Sequence, residues 1–373
     1  MKFKNAAAVG AVALATALTL SACSGGATGS GTPDASTTQG STIDYASLKG
    51  TVTAGGSSAQ ANAQAAWTAA FQAQANGVTI NYDKSQGSGG GVTNWLNGSY
   101  DFAGTDAGLK PDQQTQSQRI CGAGGALNLP VYLSGVAVVY NLPGVKLQLS
   151  SATIAKIFSL KITKWNDPAI AADNPGQTLP DSAITVVSRA DGSGTTANFT
   201  SYLSQTQPSI WTYPVSTAWP VKGTSGQQGG SGVVNTVTAG KGTIGYADHS
   251  SIGKATAAAV QVGTGKDFAE YSPAGATNAF DAAGTAAPQT KGDLLQKIDY
   301  TKITSAEAYP IPLLSYDVVC TTFKNADQAK VTAAYLGFVV SKTGQEVAAK
   351  NAGSAPLPDQ IQKDVAASLK LVK

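Results

Sequence analysis

The chain has 373 residues, which is enough for two domains, and only 13% of them are charged. Its formal net charge is +3, and no basic stripe or aromatic platform suggests a nucleic-acid partner. His249 is the only histidine and there are three cysteines, so the composition argues against histidine-based catalysis and against metal sites of ordinary spacing. We therefore expect no cofactor and no metal.

Residues 1–22 have the pattern of a signal peptide. An apolar run from Ala6 to Leu20 follows two lysines and is too short for an ordinary membrane span. The run ends in Leu20-Ser21-Ala22-Cys23, which resembles a bacterial lipobox. We predict that Cys23 is lipidated and anchors the protein on the outer side of the cell membrane. The alternative is a plain secretory leader with an incidental cysteine.

Residues 23–43 are predicted to form a disordered tether, because they are rich in Gly, Ser and Thr and lack a hydrophobic pattern. A compartment outside the cytoplasm permits disulfides. With Cys23 lipidated, Cys121 and Cys320 are the remaining thiols. We predict that they pair; two separate buried thiols are the alternative.

The folded part opens with a predicted strand at 51–54 and a predicted helix at 59–74. Trp67 and Phe71 lie on one face of that helix. Ser58 stands immediately before it, where a hydroxyl can cap the helix or reach a ligand in front of it. Both roles stay open.

A glycine-rich segment at 85–92 follows the next predicted strand, at 78–82. Four glycines surround Ser88, although each glycine inside a helix costs about 1 kcal/mol relative to alanine. We expect close approach of the backbone to a small ligand as the compensation. A flexible linker is the alternative, but a position between strand and helix disfavours it.

Asp106 lies near the end of another predicted strand, at 100–107. Such an aspartate is ordinarily a helix cap or a surface charge. Among loops that donate hydrogen bonds to an anion, a carboxylate would be out of place unless it accepts a proton from the ligand.

Two long apolar segments, at 129–141 and 309–319, are candidates for crossings between domains. They predict a first lobe of residues 44–132 plus 313–373 and a second lobe of residues 133–312. We expect closure of the two lobes about the strands at 131–135 and 311–314.

The segment Ser188–Thr196 lies between an apolar strand at 183–187 and a predicted helix at 197–203. Free N–H groups at a helix start attract anions, and Arg189 can add a forked charged contact that Asp191 would orient. The alternative is a capped turn with a surface Arg189–Asp191 ion pair.

Strands that alternate with helices predict parallel sheets, and ligands bind beyond the carboxyl ends of such strands. Four candidate anion-binding segments, at 55–58, 86–91, 104–106 and 189–195, lie at that edge. Three come from the first lobe and one from the second. The simplest interpretation is one anion bound between the lobes.

Four motifs carry a resemblance to a known family, and they are Gly87–Val92, Asp101–Asp106, residues 157–170 and Arg189–Thr196. Over nearly the whole chain after the tether, the sequence resembles the phosphate-binding lipoproteins of Pst-type phosphate ABC transporters. This resemblance implies an α/β, two-lobed periplasmic binding protein-like fold (type II) with two crossover hinge strands. It further implies a monomer that is not an enzyme, captures inorganic phosphate outside the cytoplasm and delivers it to an ABC permease and its ATPase.

The resemblance also implies a set of phosphate ligands. Ser58 and Ala59 match the first-loop donors, Ser88 the glycine-rich loop donor, and Asp106 the acceptor carboxylate. Arg189 matches the charged donor. The positions at the helix start are matched by Ser193, Gly194 and Thr195. The first loop, Ser57-Ser58-Ala59, departs from the family pattern.

Phosphate binding has three alternatives. A sulfate or molybdate site should not face a fully ionised anion with Asp106. A hydrolase is disfavoured because there is no Gly-x-Ser-x-Gly motif and His249 lacks an obvious serine partner. A secondary receptor or adhesin role stays open. We expect Tyr246 and His249 to pack rather than to line the cleft.

Overall fold

The computed structural model describes residues 43–373. The predicted leader, the lipobox cysteine Cys23 and nearly all of the predicted tether lie outside the described residues. Cys121 at the end of a helix and Cys320 at the end of a strand form the predicted disulfide.

The strands of the described part are β1 (Lys49–Gly56), β2 (Gly77–Asp83), β3 (Phe102–Thr105), β4 (Ala126–Tyr140), β5 (Gln148–Leu149), β6 (Thr185–Arg189), β7 (Ser225–Gln227), β8 (Thr243–Asp248), β9 (Thr256–Ala257), β10 (Ala259–Gln261), β11 (Phe268–Ala269), β12 (Gly284–Ala286), β13 (Gln296–Ile298) and β14 (Pro312–Cys320). The helices are α1 (Ala61–Gln72), α2 (Gly87–Leu96), α3 (Pro111–Cys121), α4 (Ser151–Phe158), α5 (Pro168–Asp173), α6 (Gly194–Thr206), α7 (Gly229–Ala239), α8 (Pro273–Ala283), α9 (Ala326–Val340), α10 (Lys342–Ala352) and α11 (Asp359–Ser368).

One long curled sheet runs through both lobes in the order β2-β1-β3-β14-β4-β8-β6-β7, with β9 paired to β4. At one end β1 pairs in parallel with β2 and β3, and at the other β6 pairs in parallel with β7 and β8. The middle pairings, which involve β14 and β4, are antiparallel. The sheet therefore brings the carboxyl ends of two parallel groups towards one cleft.

Strands β4 and β14 cross between the lobes. Residues 126–135 of β4 pair with β14, and residues 136–140 pair with β8. Every residue of both strands is buried, since their apolar side chains are covered on both faces. The apolar segments at 129–141 and 309–319 thus cover most of the two crossing strands. The lobe boundaries near 132 and 313 stay a prediction.

The glycine-rich segment is the start of helix α2 rather than a loop before it. A Cβ atom on Gly91 would lie 2.4 Å from the Cα of Gly56 on β1. Glycine therefore lets α2 pack directly on the strand backbone, and this contact compensates for the low helix propensity. The linker interpretation is excluded for these residues.

Candidate functional site

The candidate site lies where β1, β3 and β6 end and where α2 and α6 begin. Helix α2 contacts β1, β3 and α6, so it joins elements of both lobes. Hydrogen bonds link Ala59, Ser88 and Thr195 to Asp106, directly or through Ser57, and Gly194 packs against Asp106 and Ser88. Ser193 caps the same helix start, whereas the side chains of Ser58 and Arg189 bond to Gly230 and to Asp191. The structure thus brings six of the eight predicted ligands together at Asp106 and the start of α6.

Asp106 is the centre of this network. Its Oδ1 accepts hydrogen bonds from Ser57 Oγ and from Ser315 Oγ, the latter at 2.6 Å. Its Oδ2 accepts from Thr195 Oγ1 at 3.1 Å. Burial raises the pKa of Asp106, while the bonds from the three hydroxyl groups and the charge of Arg189 oppose that rise. The carboxylate is thus an acceptor surrounded by neutral donors.

Arg189 and Asp191 form a buried ion pair, not the surface pair that the alternative interpretation described. Arg189 Nε donates to Asp191 Oδ1 at 2.6 Å, and Nη2 donates to Oδ2. The two side chains are 2% and 6% exposed. Burial opposes ionisation of Asp191, but the hydrogen bonds and charge of Arg189 prevail, so the pKa of Asp191 is lowered. The guanidinium plane is therefore held in one orientation.

Ser58 does not cap α1. The residue at the helix cap is Gln60, which makes no side-chain cap bond, and Ser58 Oγ accepts instead from the backbone N–H of Gly230 at 3.3 Å. The inward position belongs to Ser57, whose hydroxyl donates to Asp106 and whose Oγ accepts from the Ala59 N–H at 3.1 Å. The first loop therefore presents two serines, one to each side of the cleft.

The start of α6 carries the remaining predicted donors. Ser193 Oγ accepts from the Thr196 N–H at 3.1 Å and caps the helix. The N–H groups of Gly194 and Thr195 belong to the first turn, which has no intrahelical partner for its donors. A Cβ atom on Gly194 would lie 2.7 Å from both Asp106 and Ser88, so the helix start approaches the opposite lobe closely.

The sequence prediction missed Ser57 and Ser315 as partners of Asp106. Ser57 lies in the predicted first loop, directly before the predicted ligand Ser58. Ser315 lies on β14, a strand that carries two polar residues, Ser315 and Asp317, on one face of an otherwise apolar run. That alternation was the available signal. The pairing of β14 with β3 then brings Ser315 beside Asp106.

Tyr246 and His249 are largely packing residues, as predicted, although the Tyr246 hydroxyl also supports the site. The Tyr246 ring stacks on Phe199, and its hydroxyl group is 2.6 Å from Thr196 Oγ1 and accepts from the Arg189 N–H. Burial raises the pKa of Tyr246 to about 12, so the hydroxyl stays protonated. The His249 ring stacks on Tyr271, with centroids 3.9 Å apart.

Comparison with known proteins identifies the family. Residues 26–343 match the PBP superfamily domain. The chain is 33% identical to phosphate-binding protein PstS 2 of Mycobacterium tuberculosis over 384 residues, which cover 100% of each chain. It is 34% identical to PstS 3 of the same species over 379 residues, which cover 98% of each. The chain belongs to the PstS family.

The PstS family assignment agrees with the fold. A phosphate-binding protein from Stenotrophomonas maltophilia superposes with a TM-score of 0.65 at 21% identity, covering 85% of this chain and 93% of that one. The predicted two-lobed α/β fold is confirmed by this likeness. Within residues 43–373, no helix is long and apolar enough to cross a membrane, and no group of three or more His, Cys, Asp or Glu side chains could hold a metal ion.

Proposed function

We propose that this PstS-family chain captures inorganic phosphate between its lobes and delivers it to an ABC permease and ATPase. Its relatives in Mycobacterium tuberculosis are named as phosphate-binding proteins. The proposal includes no catalytic step. It assigns the ligand role to the set predicted from the sequence, with Ser57 beside Ser58 in the first loop.

The observation that carries the proposal is the buried Asp106 carboxylate, which accepts bonds from three hydroxyl groups and feels the charge of Arg189. Hydrogen phosphate carries a proton that can donate to Asp106. Sulfate at neutral pH carries none, and its oxygen would face the carboxylate without a bond. Since a hydrogen bond to a charged group contributes roughly 1.5–3 kcal/mol, the site should favour phosphate over sulfate strongly.

Direct hydrogen bonds between the lobes support capture by closure. The Gly89 N–H donates to the Gly192 carbonyl at 2.8 Å, and Gln228 Nε2 donates to the Ser85 carbonyl at 2.7 Å. Asn198 Nδ2 donates to the Asp106 carbonyl at 2.6 Å. These bonds close the cleft around the carboxylate and the arginine. We infer that a bound anion stabilises this closed arrangement and that the permease recognises it.

We also propose that the protein works as a monomer, lipid-anchored through Cys23 and facing outside the cytoplasm. The leader and lipobox pattern of residues 1–23 supports this part of the proposal. A Cys23→Ala variant should leave the membrane fraction and appear in the soluble extracytoplasmic fraction. A variant that stays in the membrane fraction would contradict the lipid anchor.

Titration calorimetry of the full-length protein in detergent, with phosphate and sulfate as separate ligands, tests the binding function. We expect tight phosphate binding, with a Kd near or below about 1 μM, which corresponds to about −8 kcal/mol. Sulfate should bind at least about tenfold more weakly, because one hydrogen bond to a charged group is lost. Equal binding of the two anions would overturn the assignment to phosphate.

A further inference from the structure

A row of buried polar side chains continues from Asp106 into the interior of the lobe. Ser315 Oγ lies 2.6 Å from Asp106 Oδ1, and Gln60 Nε2 lies 2.8 Å from Ser315 Oγ. Gln64 Nε2 lies 2.9 Å from Gln60 Oε1, and Tyr335 OH lies 2.7 Å from Gln64 Oε1. We call Ser315, Gln60, Gln64 and Tyr335 the polar chain.

The hydrogen bonds that link the members of the polar chain are all donated in the same direction. Gln60 Nε2 also lies 3.0 Å from the backbone carbonyl of Tyr316, which can only accept a hydrogen bond. The amide group of Gln60 must therefore present its NH₂ to Tyr316 and Ser315 and its oxygen to Gln64. Gln64 in turn presents its NH₂ to Gln60 and its oxygen to the Tyr335 hydroxyl. Each bond that links one member of the row to the next is therefore donated towards Asp106, while Gln64 Nε2 also donates to the buried Asp317 carboxyl group at 3.2 Å.

This direction fixes the proton of Ser315. Because Ser315 Oγ accepts from Gln60, its own hydroxyl proton is directed at Asp106 Oδ1. Oδ1 of Asp106 also accepts from Ser57, so a proton placed on Oδ1 would find no acceptor there. The arrangement favours the ionised carboxylate, and it opposes the effect of burial on the pKa of Asp106.

The cost of burying the polar chain argues against an incidental role. Gln60, Gln64, Ser315 and Tyr335 are each at most 1% exposed, and they come from α1 and its cap residue, from β14 and from α9. Buried polar groups destabilise a core unless their hydrogen bonds are complete. Here the bonds form a continuous row that ends on the Asp106 carboxylate, with Asp317 beside Gln64 and Arg189 near Asp106 as the charged or titratable neighbours.

We propose that Ser315 and Gln60 are positioning residues that determine anion specificity by holding Asp106 as an obligate acceptor. The proposal rests on the proposed function, since it concerns how that site tells a protonated oxyanion from a fully ionised one. Without the chain, Asp106 can take up a proton more easily and donate it to sulfate. The polar chain would thus set the selectivity of the site, while the other donors supply its affinity.

The test compares phosphate and sulfate binding by calorimetry between pH 5 and 9 in full-length wild type and in Ser315→Ala, Gln60→Leu and Ser315→Thr. In Ser315→Ala we expect the phosphate-over-sulfate ratio to fall about tenfold or more, the effect of one charged hydrogen bond. The loss of phosphate binding on acidification should begin at higher pH. Gln60→Leu should likewise lower the phosphate-over-sulfate ratio and raise the pH at which binding is lost. Ser315→Thr keeps the hydroxyl group and should therefore retain the wild-type ratio and pH profile.

Gln345→Leu is the matched control. Gln345 is a buried glutamine that bonds to the carbonyl groups of Val131 and Val339 and has no bond to the polar chain. This variant should unfold at a lower temperature but keep the wild-type ratio and pH profile. If Ser315→Ala does not fold, Gln60→Leu tests the same link from its other side.

The outcomes separate this inference from the proposed function. If wild type prefers phosphate, and folded Ser315→Ala or Gln60→Leu keeps the wild-type ratio and pH profile, the role of the polar chain is wrong and the phosphate function stands. If Ser315→Thr behaves like Ser315→Ala, the hydroxyl is not the cause. If wild type does not prefer phosphate, the proposed function falls, and this inference falls with it.

Discussion

Two aspartates on opposite sides of the cleft, Asp106 and Asp191, show how one residue type is given two roles. Both side chains are buried, yet the pKa of Asp106 is raised by burial, while Arg189 keeps the pKa of Asp191 low against the same effect. Asp191 is occupied by a guanidinium and by the Gly229 N–H. Asp106 accepts hydrogen bonds from three neutral hydroxyl groups instead. Asp191 therefore orients the Arg189 guanidinium group, and Asp106 accepts the hydrogen bond from the proton of the ligand.

Removing the guanidinium group of Arg189 should have the largest effect on the difference between Asp106 and Asp191. Arg189→Met leaves the Asp191 carboxylate buried without its cation, so we expect a loss of about 3–5 kcal/mol in the free energy of unfolding. Phosphate affinity should fall as well, because the charged donor is gone. Chemical denaturation measures the first effect and calorimetry the second.

The exposed pair Lys164–Asp181 provides the control for Arg189→Met, since its side chains are 61% and 65% exposed. Lys164→Met should change stability by less than about 1 kcal/mol. Equal losses in the two variants would show that burial does not distinguish the pairs.

A third buried carboxyl group, Asp317, should make the free energy of unfolding depend on pH. Burial raises the pKa of Asp317 to about 8, although bonds from Gln64 and Gln60 oppose the rise. In the unfolded chain Asp317 ionises near pH 4, so between about pH 4 and 8 its burial costs up to about 1.4 kcal/mol per pH unit. Wild-type stability should fall over this range relative to Asp317→Asn. Denaturant titrations at several pH values measure the gap, and a gap independent of pH would contradict the expectation.

The mildest expected change comes from Asp191→Asn. The neutral amide orients the Arg189 guanidinium group less firmly, which weakens anion binding. It also neutralises less of the positive charge of Arg189, which strengthens anion binding, so the two effects partly cancel. We expect phosphate and sulfate affinities to change by less than about tenfold, roughly one hydrogen bond, and by the same factor. Competitive titration with both anions measures the ratio. A changed ratio would mean that Asp191 also contributes to selectivity.

Much of the architecture was predictable because local chemistry decides it. The apolar segments that cover most of β4 and β14 are visible as long hydrophobic runs, and small residues at a helix start indicate the strand–turn–helix pattern around Arg189. The predicted helix at 197–203 was too short, because the three residues after the Ser193 cap are already helical.

The parts that sequence reasoning missed depend on contacts between distant residues. The role of Gly91 follows from its distance to the Gly56 backbone, and Ser57 takes the inward position that was assigned to Ser58. Ser315 reaches Asp106 only through the pairing of β14 with β3, across 209 residues of sequence. Local pattern does not determine such pairings.

The measurement that tests the central claim most directly is the phosphate-over-sulfate affinity ratio of Asp106→Asn against wild type at neutral pH. An asparagine has nearly the same shape but can donate a hydrogen bond to a fully ionised oxygen. We predict that the phosphate-over-sulfate ratio of this variant falls towards one, because phosphate binds more weakly and sulfate binds more strongly. A ratio that stays at the wild-type value in a folded variant would show that Asp106 does not detect the proton of the ligand.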